Sequence, residues 1–348
     1  MSTRLATTLG RRTLPRTVAK RVDFGRYRAG GQVSHRHDRL AEMASRIFRL
    51  DAQLDLRLTL GPNLRGTADP TMRLDARRVV RATRTACGPA TIEMVVAGDQ
   101  LRAEAWGPGA EAALAGAGAL AGLDDDRSPF VPGRGLIGEL DRRMAGLRIG
   151  RTGAVLEALV PAILEQKVTG IEARRGFRGL IARWGEPAPG PFGLRLLPRP
   201  EVLAAIPYHE LHPLGIERRR ADLIRTVAAR AARFEEVVGL PREDAYRRLR
   251  ALPGIGPWTA AEVALRALGD ADAVSVGDFH LPNLVAFALA GEPRASDERM
   301  LELLEPYRGQ RGRVIRLLEL SGIRPPARGP RCPIRSIAAR CGRAPTAC

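Results

Sequence analysis

The segment Leu252-Pro253-Gly254-Ile255-Gly256-Pro257-Trp258-Thr259-Ala260 has the residue types to hold an anion with main-chain groups alone. Two glycines two apart permit a tight turn without a Cβ penalty, Ile255 between them can plug a core, and Pro257 suits the first position of a helix. Such a turn leaves a nest of backbone N–H groups at a helix N-terminus, where an anion binds. When the anion is a DNA phosphate, it is gripped without regard to base sequence. An ordinary glycine-capped turn between helices would read similarly, but the Leu-Pro-Gly-Ile-Gly order favours the phosphate site. A second segment, Val276-Gly277-Asp278-Phe279-His280-Leu281, puts an aspartate 22 residues after Gly256, where it can cap a helix. Asp270 and Asp272, in the run Gly269-Asp270-Ala271-Asp272, read as turn residues. Amine chemistry has little to draw on, because the chain holds only two lysines, Lys20 and Lys167. Of the four cysteines, Cys87 stands alone and Cys332, Cys341 and Cys348 are spaced by 9 and 7, which matches neither a zinc pair nor a common cluster run. Free thiols are expected, with no metal and no cofactor.

These segments need a scaffold, and 348 residues suffice for two domains of ordinary size. No stretch approaches the roughly 20 apolar residues of a membrane span, and the N-terminus lacks an apolar signal core, so a cytoplasmic, nucleoid-associated bacterial protein is expected. The first 22 residues are rich in Arg and Thr and hold no acid. A transit peptide looks like this, and so does a start site placed too early; the latter is favoured. The net charge of +18 is carried by the ends: residues 1–50 contain 12 Lys and Arg against 3 acids, and residues 307–348 contain 10 against 1. The middle is neutral. The basic ends suggest an anionic partner such as nucleic acid, although a basic tail is as often a solvated appendage.

Residues 1–38, Gly- and Arg-rich without apolar periodicity, are expected to form a disordered basic leader. Residues 39–131 are expected to form a small antiparallel α/β domain. There Leu54, Leu56, Leu58 and Leu60 alternate with polar residues as in a half-buried strand, and strand-like runs follow at 79–85, 90–97 and 100–106, with a helix over 110–120. Residues 132–322 turn helical. One apolar stripe runs along Val155, Leu159, Ile163, Leu164, Val168 and Ile171, and further helices are expected over 257–268, 278–289, 297–304 and 312–320. Residues 323–348, proline-rich, are expected to be a disordered basic tail.

The hairpin segment resembles that of the helix-hairpin-helix DNA glycosylase superfamily and is most similar to the bacterial, inducible 3-methyladenine DNA glycosylases (DNA-3-methyladenine glycosylase II). Pro161-Ala162-Ile163-Leu164-Glu165-Gln166-Lys167-Val168-Thr169 resembles the family's active-site helix, and Leu214-Gly215-Ile216 with Arg219, Arg220, Ala221 and Ile224 resembles the stretch before the hairpin. The match covers about residues 150 to 320. It implies an α+β fold in which a TATA-binding-protein-like antiparallel α/β domain precedes an all-α glycosylase domain. It also implies that Asp278 is the catalytic carboxylate. Breaking the bond between sugar and base develops an oxocarbenium cation, which a fixed carboxylate in a water-poor pocket stabilises while orienting the attacking water.

In bifunctional relatives a lysine attacks the sugar and forms a Schiff base. The resemblance puts that lysine where this chain has Trp258, which implies a monofunctional enzyme with water as nucleophile. Trp258, Gln166, Phe279 and Glu262 are expected at the base pocket, where stacking compensates the unstacking of a flipped base; core packing for Trp258 and a solvated position for Gln166 are the plainer readings. His280 either joins the pocket rim or packs inside. The hairpin residues Leu252, Gly254, Ile255, Gly256 and Thr259 are expected to touch DNA, with Lys167 at the minor groove and Arg308 as a further phosphate contact; Arg311 and Arg313 would serve equally as phosphate contacts or as a solvated face. Two positions depart from the family pattern. Glu262 stands where the broad enzymes carry an aromatic, and Lys167 where they carry an apolar wedge, so substrate range and the filling of the DNA gap are open. The expected activity is therefore excision of alkylated bases from double-stranded DNA by a monomer, in base-excision repair. Two other readings remain: a non-catalytic DNA-binding protein that keeps the hairpin as a clamp, and a glycosylase for another damaged base.

Overall fold

The computed structural model describes residues 43–326; the expected leader, most of the expected tail and the three tail cysteines lie outside the described residues. Five strands, β1 (Met43–Arg49), β2 (Met72–Leu74), β3 (Arg78–Thr85), β4 (Gly88–Ala97) and β5 (Gln100–Trp106), form one antiparallel sheet in the order β1-β5-β4-β3-β2. Along β5, Leu101, Ala103 and Ala105 are buried while Arg102 and Glu104 are exposed, the two-residue alternation of a strand with one covered face. That face packs against α1 (Leu56–Leu60), α2 (Ala110–Ala115) and α3 (Ala117–Leu120), where Leu56, Leu60, Leu114 and Leu120 meet Ile92, Met94 and Leu101.

The leucine alternation at Leu54 to Leu60 is thus helical and not a strand. The Asp55 carboxylate accepts from the Leu58 backbone N–H at 2.9 Å and caps a helix, and the leucines then divide: Leu56 and Leu60, four apart, face the sheet, whereas Leu58 packs on the helical half. β1 and β2 lacked a clear alternation and are held by pairing to β5 and β3.

The helical half comprises α4 (Leu136–Arg143), α5 (Val155–Glu165), α6 (Gly170–Trp184), α7 (Pro200–Ala205), α8 (Tyr208–Leu211), α9 (Arg218–Ala229), α10 (Ala231–Glu235), α11 (Arg242–Arg250), α12 (Pro257–Val263), α13 (Leu281–Ala290), α14 (Asp297–Leu304) and α15 (Arg311–Leu320). Two apolar clusters dominate it. One gathers Leu159, Ile163, Leu180, Ile224, Leu249 and Ile255 around α5, α6, α9 and the hairpin; the other gathers Ile137, Leu140, Val285, Met300, Val314 and Leu318 around α4, α13, α14 and α15.

The stripe from Val155 to Ile171 is not one helix. α5 stops at Glu165, Gln166 is extended, Lys167 takes a left-handed φ of 55°, and Thr169 with Glu172 forms a capping box that starts α6 afresh. Ile171 is left 53% exposed. The helix expected to begin at Asp278 begins at Leu281. After α12, the chain makes a π-helical turn, Ala264–Leu268, that ends at Gly269 with φ 70°.

Candidate active site

The hairpin joins α11 to α12. The Ile255 N–H donates to the Leu252 carbonyl at 3.1 Å, and both side chains are buried, which fastens the turn to the first helical cluster. Gly254 has φ 99°, and a Cβ there would stand 3.0 Å from Leu223 Cδ2, so this position needs glycine for the fold itself. Gly256 has φ −87° and ψ −177°, ordinary extended backbone, and a Cβ added there would meet no atom within 4 Å. The surface beside Gly256, at the start of α12, is therefore open. Gln166 spans from the end of α5 to this turn: its amide donates to the Gly254 carbonyl at 3.0 Å and to Thr259 Oγ1 at 2.9 Å. That contact, rather than free solvation, fixes Gln166, and Thr259, 2% exposed, is held beneath the turn instead of projecting from it.

Trp258 is half-buried against the first cluster, and its indole N–H donates to Asp278 Oδ2 at 2.9 Å. Asp278 Oδ1 accepts from the backbone N–H groups of His280 at 2.8 Å and Leu281 at 2.9 Å, so the aspartate caps α13 from three residues before it. The hydrogen bond between Trp258 and Asp278 thereby links α12, which packs on the first cluster, to the loop before α13, which packs in the second. All three donors to Asp278 are uncharged. Among the described residues no Arg, Lys or His forms an ion pair with it, whereas four other acids of the helical half are paired: Glu165 with Arg65, Glu262 with Arg266, Asp270 with Arg242 and Asp272 with Arg311. A carboxylate kept half-buried and oriented, with its negative charge uncancelled, can stabilise a positive charge that forms nearby.

Other expected site residues lie differently. Glu262 is inside the protein: it pairs with Arg266 and accepts from Ser275 Oγ at 2.6 Å. Burial pushes its carboxyl up, but the Arg266 charge, the Ser275 hydroxyl and Arg65 together hold it below the usual carboxylate range. Its carboxylate is not free to meet a base. Phe279 is 81% exposed and touches only His280 edge-on among the described aromatic rings, with ring centres 4.9 Å apart, so it stands out into solvent. Lys167 is exposed one residue beyond Gln166.

Arg308, exposed, makes a two-pronged pair with Glu305. Arg311 is bound to Asp272, and Arg313, 1% exposed, is bound to Asp125 and lies against the Phe130 ring. Neither is a solvated face or a free phosphate contact, because their partners sit 39 and 188 residues away in sequence. Asp270 and Asp272 are more than turn residues, since Tyr246 donates to Asp270 at 2.8 Å and Arg311 to Asp272. Cys87 is exposed, and among the described residues no cluster of acids, His or Cys could hold a metal.

Sequence reasoning passed over two residues here. Ser275 joins Glu262 to the loop that carries Asp278, and the Asp297 carboxylate accepts from the Gly277 N–H at 2.9 Å, where Gly277 has φ 90°. Only the glycine before Asp278 hinted that this loop needed an outside anchor.

No family model matches the chain. It is 33% identical over 168 residues, 47% of its length, to a protein of Mycobacterium tuberculosis named "Probable bifunctional transcriptional activator/DNA repair enzyme AlkA", and 29% identical over 176 residues, 50% of its length, to "DNA-3-methyladenine glycosylase 2" of Escherichia coli. The chain is similar in sequence to 3-methyladenine DNA glycosylases. It spans 34% and 61% of those relatives' lengths, respectively. In fold it is similar to the 3-methyladenine DNA glycosylase of Archaeoglobus fulgidus, with a TM-score of 0.67 at 21% identity over 78% of this chain and 97% of that one. It is also similar to the Clostridium acetobutylicum 8-oxoguanine glycosylase/lyase, with 0.61 at 14% over 79% and 95%. The mixed fold, with one antiparallel sheet and a helical half, is shared with these glycosylases, and the similarity to 3-methyladenine DNA glycosylases read from the hairpin residues holds. Because enzymes of different lesions share this fold, it does not choose between them.

Proposed function

We propose that the chain is a monofunctional DNA glycosylase that flips an alkylated, 3-methyladenine-like base out of double-stranded DNA and hydrolyses its glycosidic bond. One observation carries this reading: the Trp258 indole holds the Asp278 carboxylate at 2.9 Å beside a glycine hairpin whose outer face is open. The hairpin N–H groups would take a backbone phosphate, with Lys167 on the same rim, one residue from Gln166. Trp258 would stack on the base, and Asp278 would face the sugar, stabilising the oxocarbenium and orienting water. An alkylated purine already carries positive charge, so little acid catalysis is needed, and no lysine is required as nucleophile.

A second reading has its own support. Asp278 and Trp258 satisfy one another, and Asp278 caps α13, which is what a non-catalytic DNA clamp would also need. The test is incubation of the purified chain with duplexes containing 3-methyladenine, 7-methylguanine, hypoxanthine or 8-oxoguanine, followed by detection of free base. Release of the methylated purines, abolished in Asp278→Asn, supports the glycosylase; DNA binding without release of any base supports the clamp. Borohydride is expected to trap no covalent complex, and a trapped adduct overturns the monofunctional mechanism.

A further inference from the structure

Four charged side chains sit together where the sheet half meets the helical half. Arg65, in the loop after α1, pairs with Glu165 at the end of α5 at 3.0 Å, and Arg266, in the π-helical turn, pairs with Glu262 and donates to the Pro62 carbonyl at 2.9 Å. The side chains are 8%, 25%, 10% and 14% exposed in the order Arg65, Glu165, Arg266 and Glu262, and Arg65 lies near enough to feel the charges of both Arg266 and Glu262. Buried ions so matched are hard to displace, since moving one strands its partner in a medium that solvates charge poorly.

Two lines lead from this cluster to the site. On one, Glu165 is followed directly by Gln166, which grips the hairpin at Gly254 and Thr259. On the other, Glu262 Oε1 accepts from Ser275 Oγ at 2.6 Å, and the Ser275 carbonyl accepts from the Asp278 N–H at 3.2 Å.

We propose that Ser275 and Glu262 are positioning residues for Asp278: the buried ion cluster, rooted in the sheet half through Pro62 and Arg65, fixes the loop that carries the carboxylate against the helix that carries Trp258. The proposal rests on the reading of Asp278 as the reacting carboxylate. Glu262 takes no proton itself, because both of its oxygens are engaged. Its effect passes through the Ser275 hydroxyl, and a carboxylate that stabilises a transient cation loses that effect when displaced by a fraction of an ångström to an ångström. Without Ser275 Oγ, the loop keeps the bond between Gly277 and Asp297, the Trp258 indole on Asp278 and Asp278's own cap, but loses its tie to the buried ion cluster.

The test uses the full chain with Ser275→Ala and Ser275→Thr. Three quantities are measured: the single-turnover rate of base release from a methylated-purine duplex, the Kd for a duplex bearing an abasic-site analogue, and the indole N–H resonance of Trp258 in a proton–nitrogen spectrum, assigned with Trp258→Phe. Ser275→Ala is expected to slow base release at least tenfold with Kd within twofold of wild type, and to move the Trp258 resonance; Ser275→Thr is expected to restore both. An unmoved resonance together with an unchanged rate in Ser275→Ala overturns the proposal, as does a parallel loss of rate, binding and thermal stability that threonine does not repair. If the alanine variant does not fold, Ser275→Cys, with its weaker donor, takes its place and must move the resonance in the same way. Should the wild type release no base at all, the glycosylase reading fails while the Trp258 resonance still decides the positioning role.

Discussion

Gly256 tells whether the hairpin is shaped for folding or for a ligand. Its backbone conformation suits any residue, the extended conformation required before Pro257 is already present, and an added Cβ meets nothing within 4 Å. In the free protein, Gly256→Ala should therefore leave thermal unfolding unchanged or raise stability by roughly 0.4–1 kcal/mol, by restricting the unfolded chain. If a phosphate approaches these N–H groups, the methyl group occupies its place. Losing one hydrogen bond to a charged group costs about 1.5–3 kcal/mol, or roughly 10- to 150-fold in Kd. Fluorescence anisotropy with an abasic-analogue duplex over a range of salt concentrations should show that loss, together with a salt slope reduced by about one phosphate contact. Gly254→Ala provides the contrast. There φ is 99° and Leu223 stands 3.0 Å from the new Cβ, so about 1–3 kcal/mol of stability should be lost in the absence of DNA. Wild-type affinity in a stably folded Gly256→Ala protein would show that the open space does not belong to DNA.

Asp278→Asn should lower base release on the order of 100-fold or more, because the fixed negative charge is removed, while the cap survives on the asparagine oxygen and stability falls by about 1–3 kcal/mol because the amide nitrogen cannot accept from the Trp258 indole; an equally active variant would remove Asp278 from the chemistry. Gln166→Ala deletes the two bonds to Gly254 and Thr259, and should cost about 1–3 kcal/mol in urea denaturation along with weaker DNA binding. Arg313→Met strands the buried Asp125 and should destabilise by about 3–5 kcal/mol, with DNA affinity unchanged in the folded fraction, as denaturant titration and anisotropy would show. Glu262 is held below its ordinary value of 4.5 once folded, so it contributes stability that is complete above 4.5 and lost as pH falls through the lower folded value. Below about pH 4.5, the unfolding midpoint of the wild type should fall more steeply than that of Glu262→Gln, and parallel acid profiles would contradict this assignment.

The hairpin was legible because its requirements are local. Glycine at a left-handed position, an apolar plug and a proline at a helix start are properties of neighbouring residues, and neighbours are what a sequence displays. The period-2 strands of the sheet were legible for the same reason. The leucine run at Leu54 to Leu60 misled because alternate leucines also fit a short helix wedged between two cores, which Asp55 then caps. The stripe across Lys167 misled because the capping box at Thr169 outweighs continued periodicity.

What no pattern of residue types could supply was the pairing of charges. Glu262 and Arg313 read as candidates for a base or a phosphate, yet each was already taken by a partner, in Arg313's case one 188 residues away. Asp278 and Trp258, 20 residues apart, meet because each is carried by an element anchored in a different apolar cluster, α12 in one and α13 in the other. Residue order thus determined which groups are chemically able to act; burial and long-range ion pairing, which depend on where the whole chain packs, decided which of them remain free to do so.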